Sequence, residues 1–141
     1  MSLNQTEVSK NEFNYLGMLG AISTNIFYCD DNFVITYVND MAISTLKEIG
    51  PQIKENFSVD IQNMVGTCID SFHRNPSHQR AVLGNLKNFP FQSEISFAGL
   101  ILDLNINPVF GEQNKVLGYI VNWEEISVFK AAQLEAQKAL N

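Results

Sequence analysis

The chain has 141 residues, the size of one domain with a single core. Hydrophobic residues make up 45% and charged ones 17%, below the roughly 25% usual for soluble domains, so a disordered or fibrous chain is excluded. Nine Lys+Arg against fifteen Asp+Glu give a net charge of -6, with the cations scattered from Lys10 to Lys138; such a surface repels a phosphate backbone, which sets aside nucleic acid and anionic membrane as partners.

The stretch without charge from Phe13 to Cys29 is broken by Asn14, Gly17, Gly20, Ser23, Thr24 and Asn25, and is too short and polar to span a bilayer. Glu7 and Glu12 beside the early cation Lys10 do not read as a signal peptide. Cys29 and Cys68 form neither a metal-like pair nor a disulfide framework, which suits a reducing compartment and predicts a cytoplasmic location without direct membrane contact. Met1-Ser2-Leu3 reads as a cloning scar on a piece of a longer protein.

The first dozen residues are polar and aperiodic and predict a frayed lead-in. Phe13, Leu16, and Leu19 or Gly20 then recur at helical spacing, in a helix weakened by Gly17 and Gly20. Ile26 to Cys29, a turn at Asp30-Asp31-Asn32, and Phe33 to Val38 read as a β-hairpin. Asn39 or Asp40 caps a short helix that Gly50-Pro51 is expected to end. Ile53, Phe57, Ile61 and Val65 then fall about one per turn, predicting short helical pieces, and Pro76 opens a helix through Val82 and Leu83 to Leu86.

Three strands follow. Phe91, Ser93, Ile95 and Phe97 share one face of the first, and Ala98-Gly99 turns into the second. There Leu100, Leu102, Leu104 and Ile106 alternate with Ile101 and a polar row, Asp103, Asn105 and Asn107, that is either solvated or meets a partner's helix. The third, Val116 to Trp123, is expected to place Leu117, Tyr119, Val121 and Trp123 on one side. Beyond it Phe129, Ala132, Ala136 and Leu140 mark an amphipathic exit helix, which Ser127 can cap. The economical packing is an α+β domain, a five-stranded antiparallel sheet with short helices on one face and flanking N- and C-terminal helices.

Over roughly residues 21 to 127 this pattern resembles a PAS domain. The resemblance is carried by Tyr37-Val38-Asn39, by the string Phe72-His73-Arg74-Asn75-Pro76-Ser77-His78-Gln79-Arg80, by Asn105 to Phe110 and by Leu117 to Glu124. The histidine string is similar to the PAS modules of bacterial methyl-accepting chemotaxis receptors, including the haem-binding class of oxygen and aerotaxis receptors. The family's closing Asp-x-Thr signature is replaced by Glu125-Ile126-Ser127. The chain then divides into a lead-in and cap helix over 1–20, a PAS domain over 21–127 and the start of a signalling helix over 128–141.

The resemblance implies haem b as a cofactor, His73 as its iron ligand with His78 the runner-up, and Trp123 facing bound gas in a pocket lined by Leu102, Leu104 and Val121. A neutral imidazole suits iron, and an indole N–H in an apolar pocket favours a polar diatomic. Equally, His73 can serve only in a helix-capping string with Asn75, and Trp123 can simply fill the core. Both cysteines read as structural thiols, since no cation is near them in sequence, and the flavin-adduct cysteine string is missing. No phosphate-cradling loop, nucleophile elbow or metal-ligand pair suggests an enzyme. The expected role is a sensory module of a chemotaxis or signal-transduction receptor that binds haem, for gas or redox sensing, or another small ligand, a homodimer relaying through its C-terminal helix to a downstream signalling domain; the alternative is a ligand-free PAS used as a dimerisation and protein-interaction relay.

Overall fold

The computed structural model describes residues 14–140, so the expected lead-in and Phe13 lie outside the described residues. A helix over 14–21 (α1) precedes β1 (Asn25–Asp30) and β2 (Ile35–Val38). Then come α2 (Asp40–Phe57), single 3-10 turns at Ile61–Asn63 and Ile69–Phe72, and α3 (Pro76–Leu83). The strands β3 (Phe91–Phe97), β4 (Leu100–Phe110) and β5 (Val116–Glu125) lead into α4 (Ser127–Leu140). All neighbouring strands are antiparallel in the order β2-β1-β5-β4-β3, so the last strand closes the gap between the two hairpins. The α+β architecture is the expected one, with α2, α3 and the 3-10 turns against the inner face of the sheet.

The first hairpin is tighter than its composition suggests. Asp30 Oδ1 accepts from the N–H groups of Asn32 and Val34 at 2.9 and 3.0 Å, which curls the chain so that Phe33 takes φ 64° and leaves the strand. Left-handed backbone is costly for a phenylalanine. Stacking on Tyr119, with ring centroids 5.2 Å apart, holds it there.

Asn39, rather than Asp40, caps α2, and its side chain is fully buried. Its Oδ1 accepts from Ala42 N–H and Ile26 N–H, both at 3.0 Å, while Nδ2 donates to the carbonyls of Leu19 and Thr24 at 3.0 and 2.8 Å. One amide thus joins α1, β1 and α2 with its hydrogen-bonding capacity filled.

Gly50-Pro51 does not end the helix, which continues to Phe57. Pro51 and Lys47 lie on the exposed side of α2, so the helical hydrogen bond lost at Pro51 belongs to that side, while buried Ile49, Gly50 and Ile53 continue the apolar stripe. A Cβ at Gly50 would lie 3.1 Å from Ile61 Cδ1, so the glycine serves close packing rather than termination. Ser58, at φ 58°, ends α2 with its N–H on the Lys54 carbonyl.

On β3 the expected face is inward, with Phe91, Ser93, Ile95 and Phe97 half-buried and their neighbours exposed. On β5 Tyr119, Val121 and Trp123 are buried, but Leu117 departs from the expected row and is exposed. Val109 pairs with Gly118 and Phe110 with Val116, so Leu117 is the extra residue of a β-bulge. The polar row of β4 is half-covered; Gln92 Nε2 donates to Asp103 Oδ1 at 2.9 Å, and Lys130 of α4 pairs with Glu94 at 3.1 Å.

Candidate functional site

The inner face of the sheet and the helical layer enclose an apolar cavity of about 100 Å³. Its floor is set by cross-strand register: Leu104 lies opposite Trp123 and Ile106 opposite Val121. Its roof comes from α2 and from the segment between the 3-10 turn at Ile69–Phe72 and Leu83 at the end of α3. His73, Trp123, Leu102, Leu104 and Val121, far apart in sequence, all line this one space.

Trp123 is 2% exposed, lies against Phe27 with ring centroids 5.3 Å apart and planes tilted by 54°, and is pinned through its backbone carbonyl by Asn25 Nδ2 at 3.0 Å. Its indole Nε1 is buried with no hydrogen-bond partner among the described residues. An orphaned donor in an apolar interior is costly, and native proteins leave few of them.

His73 follows the 3-10 turn in extended backbone, its N–H on the Asp70 carbonyl at 3.2 Å. Burial pushes its imidazole below the ordinary histidine range, against the opposing pull of Asp70, which favours the neutral form that ligates metals. The cap of α3 is made by Asn75, whose Oδ1 accepts from His78 N–H at 3.3 Å. His78 itself is exposed on α3 and lies outside the cavity lining. Of the two histidines, the fold brings only His73 to the cavity.

Sequence reasoning missed several walls. Phe57 meets both Phe72 and Phe97 edge-on, at centroid distances of 5.3 and 4.8 Å, and Gln79 and Ser93 supply the lining with further polar groups. Phe72 beside His73 was the available signal; the contacts of Phe57 depend on the path of α2 through Gly50-Pro51. Cys29 is also a wall residue, and burial followed by the nearby Asp30 carboxylate pushes its thiol up to about 11. Cys68 was expected to lack a cation; folding brings Arg80 Nη2 to 3.5 Å from its Sγ.

The cavity suits haem in its donor chemistry: one imidazole, one unpartnered N–H and walls that are mainly apolar, with Gln79 and Ser93 as further polar groups. Its volume is well below the ~300–1,000 Å³ of ordinary small-molecule pockets, so a macrocycle enters only if the roof residues move outward.

The exit from the sheet differs in one respect from expectation. Ser127 is the first residue of α4 rather than its cap, and the Glu125 carboxylate caps the helix by accepting from Ser127 N–H at 2.9 Å. No helix among the described residues is long and apolar enough to cross a membrane.

No protein-family model matches the chain. It is 30% identical over 121 residues to the methyl-accepting chemotaxis protein McpB of Pseudomonas aeruginosa, covering 85% of this chain but 18% of that protein. Among solved structures, the Aer2 receptor of Vibrio cholerae, described as a dual PAS-haem oxygen sensor, superposes with a TM-score of 0.67 and 28% identity over 73% of this chain and 94% of the other. The PAS domain of Bordetella pertussis BvgS, at 15% identity, matches in fold with a TM-score of 0.53 over 94% and 99% of the two chains. The relatives that share sequence as well as fold are receptors rather than enzymes, in agreement with the expected lack of catalysis. The open five-stranded sheet with its helices on one face, the histidine string and these likenesses together establish that the chain has the PAS fold and resembles the PAS modules of bacterial methyl-accepting chemotaxis receptors.

Proposed function

We propose that the chain is the sensory module of a bacterial chemotaxis or related signalling receptor and that its cavity receives haem, which His73 would hold through a ring nitrogen while Trp123 would offer its N–H to a bound gas. The observation that carries this reading is the orphaned indole N–H of Trp123, buried in the apolar cavity that a half-buried histidine also lines. Haem held there supplies an iron centre for gas or redox sensing. His73 in its neutral form offers a lone pair, Trp123 offers a hydrogen bond to a polar diatomic, and Leu102, Leu104 and Val121 keep water out. The likeness to the Aer2 receptor, described as a PAS-haem oxygen sensor, supports the assignment.

In this reading the chain is cytoplasmic, works as a homodimer, and relays through α4 to a downstream signalling domain of the same receptor. The test is expression with a haem precursor followed by visible absorption. The chain acquires a Soret band, His73→Ala abolishes it, and His78→Ala keeps it. Full haem retention by the His73 variant removes His73 from the role.

The narrow cavity favours a second reading, a ligand-free PAS used as a dimerisation and interaction relay. A chain that stays colourless after reconstitution with excess haemin, yet self-associates through α4, supports that alternative.

A further inference from the structure

The histidine at the cavity follows a segment whose apolar side chains, Cys68, Ile69 and Phe72, pack against the core but are only partly buried. The 3-10 turn at Ile69–Phe72 has no buried residue, and α3 buries only Leu83. Rigid metal-ligating side chains depend on outer partners for their orientation, which raises the question of what holds this turn.

We propose that the Asp70–Arg80 ion pair positions His73, tying its turn to α3 and, through α3, to the sheet. Arg80 grips the carboxylate as a fork, with Nε 3.1 and 3.0 Å from Oδ1 and Oδ2 and Nη2 2.8 Å from Oδ2. The same Asp70 accepts the His73 N–H through its backbone carbonyl at 3.2 Å, so a shift of Asp70 carries His73 with it.

An exposed ion pair is ordinarily weak, because two mobile side chains must be immobilised for little Coulombic gain. Here the guanidinium already lies 5.0 Å over the Phe33 ring centroid and 3.5 Å from Cys68 Sγ, so much of its freedom is spent before the carboxylate is met. The far end of α3 is anchored by Tyr119 Oη, which donates to the Leu83 carbonyl at 3.3 Å, and Tyr119 in turn stacks on Phe33. The path is continuous: β5 holds α3 at Leu83, and α3 holds the His73 turn at Arg80.

The inference takes its ligand from the haem reading, but its geometry stands without it. Arg80→Ala, Asp70→Asn and the exchanged pair Asp70→Arg with Arg80→Asp are compared with the unaltered chain. In the haem-free chain, hydrogen exchange of the His73 amide is expected to quicken about fivefold in each single variant, while amides of β4 and β5 keep their rates. In the haem-loaded chain, transfer to apomyoglobin is expected to speed up about tenfold, and the exchanged pair recovers part of both losses, since its guanidinium gives up the place over Phe33. Unchanged His73 exchange and unchanged transfer overturn the proposal, as does equal acceleration of the β4 and β5 amides, which marks general destabilisation. If no variant takes up haem, the haem reading fails, and His73 exchange with its recovery in the exchanged pair still decides whether the clamp exists.

Discussion

Glu125 Oε1 accepts the N–H of Ile101 at 3.1 Å, and the Ile101 carbonyl accepts the N–H of Ile126 at 2.8 Å, so the end of β5 is stitched to the start of β4 at the point where α4 begins. Burial pushes the Glu125 carboxyl up, but hydrogen bonds from Ser127 and from the Ile101 and Ser127 N–H groups outweigh it and hold the carboxyl below its ordinary range.

A group whose native pKa is depressed adds stability above its unfolded pKa, and that stability is lost as pH falls through the native value. Glu125→Gln keeps an acceptor oxygen but loses the charge, and is therefore expected to be less stable than the parent chain at neutral pH by under about 1 kcal/mol. The difference should shrink as pH falls below the ordinary glutamate pKa of about 4.3. Urea melts at pH 7 and at stepwise lower pH check this; a gap that grows on acidification contradicts it.

Asn39→Ala removes a side chain that serves two N–H groups and two carbonyls across three elements. Stranding buried backbone groups costs about 1–3 kcal/mol each when water cannot reach them, so a loss of about 3 kcal/mol is expected. Asn39→Asp keeps the acceptor but loses both donated bonds and buries a charge, and should fare no better. Chemical denaturation of the two variants provides the measurement.

Trp123→Phe separates packing from donor chemistry. Phenylalanine keeps the aromatic contact with Phe27 and removes the orphaned N–H, so the haem-free chain should change stability by less than about 1 kcal/mol. Trp123→Leu should cost about 2 kcal/mol or more through the space it opens. In haem-loaded chains both should speed oxygen loss or autoxidation; unchanged gas kinetics would reduce Trp123 to a core residue.

Thiol labelling at pH 8 should distinguish the cysteines. Cys29 is buried with its thiol raised to about 11, so a folded chain reacts slowly there, while part-exposed Cys68 reacts first. Mass mapping after brief iodoacetamide treatment, with and without denaturant, decides it.

The exit helix has no buried residue, and Val128, Phe129, Leu134 and Leu140 are exposed at 80%, 64%, 53% and 87%. If α4 pairs with a second subunit, ending the chain at Ile126 should lower its sedimentation mass at concentrations where the full chain dimerises. A single monomeric mass for this chain, the truncation and a downstream extension contradicts the relay.

The sequence by itself determined the sheet, because alternating residues such as Phe91, Ser93, Ile95 and Phe97 bury one face of a strand whatever lies above it. It also marked the string around His73 and the cap at Asn39 or Asp40, both readable from local chemistry. Tertiary structure decided what depends on partners distant in the chain. Helix α2 passes Pro51 because its apolar face stays buried on both sides of the proline, and Leu117 leaves its row because β4 and β5 pair with a bulge. Arg80 meets Cys68 and Asp70 only once α3 folds back over the 3-10 turn. The orphaned state of the Trp123 N–H was likewise beyond local patterning, since a missing hydrogen bond is a property of everything packed around the donor.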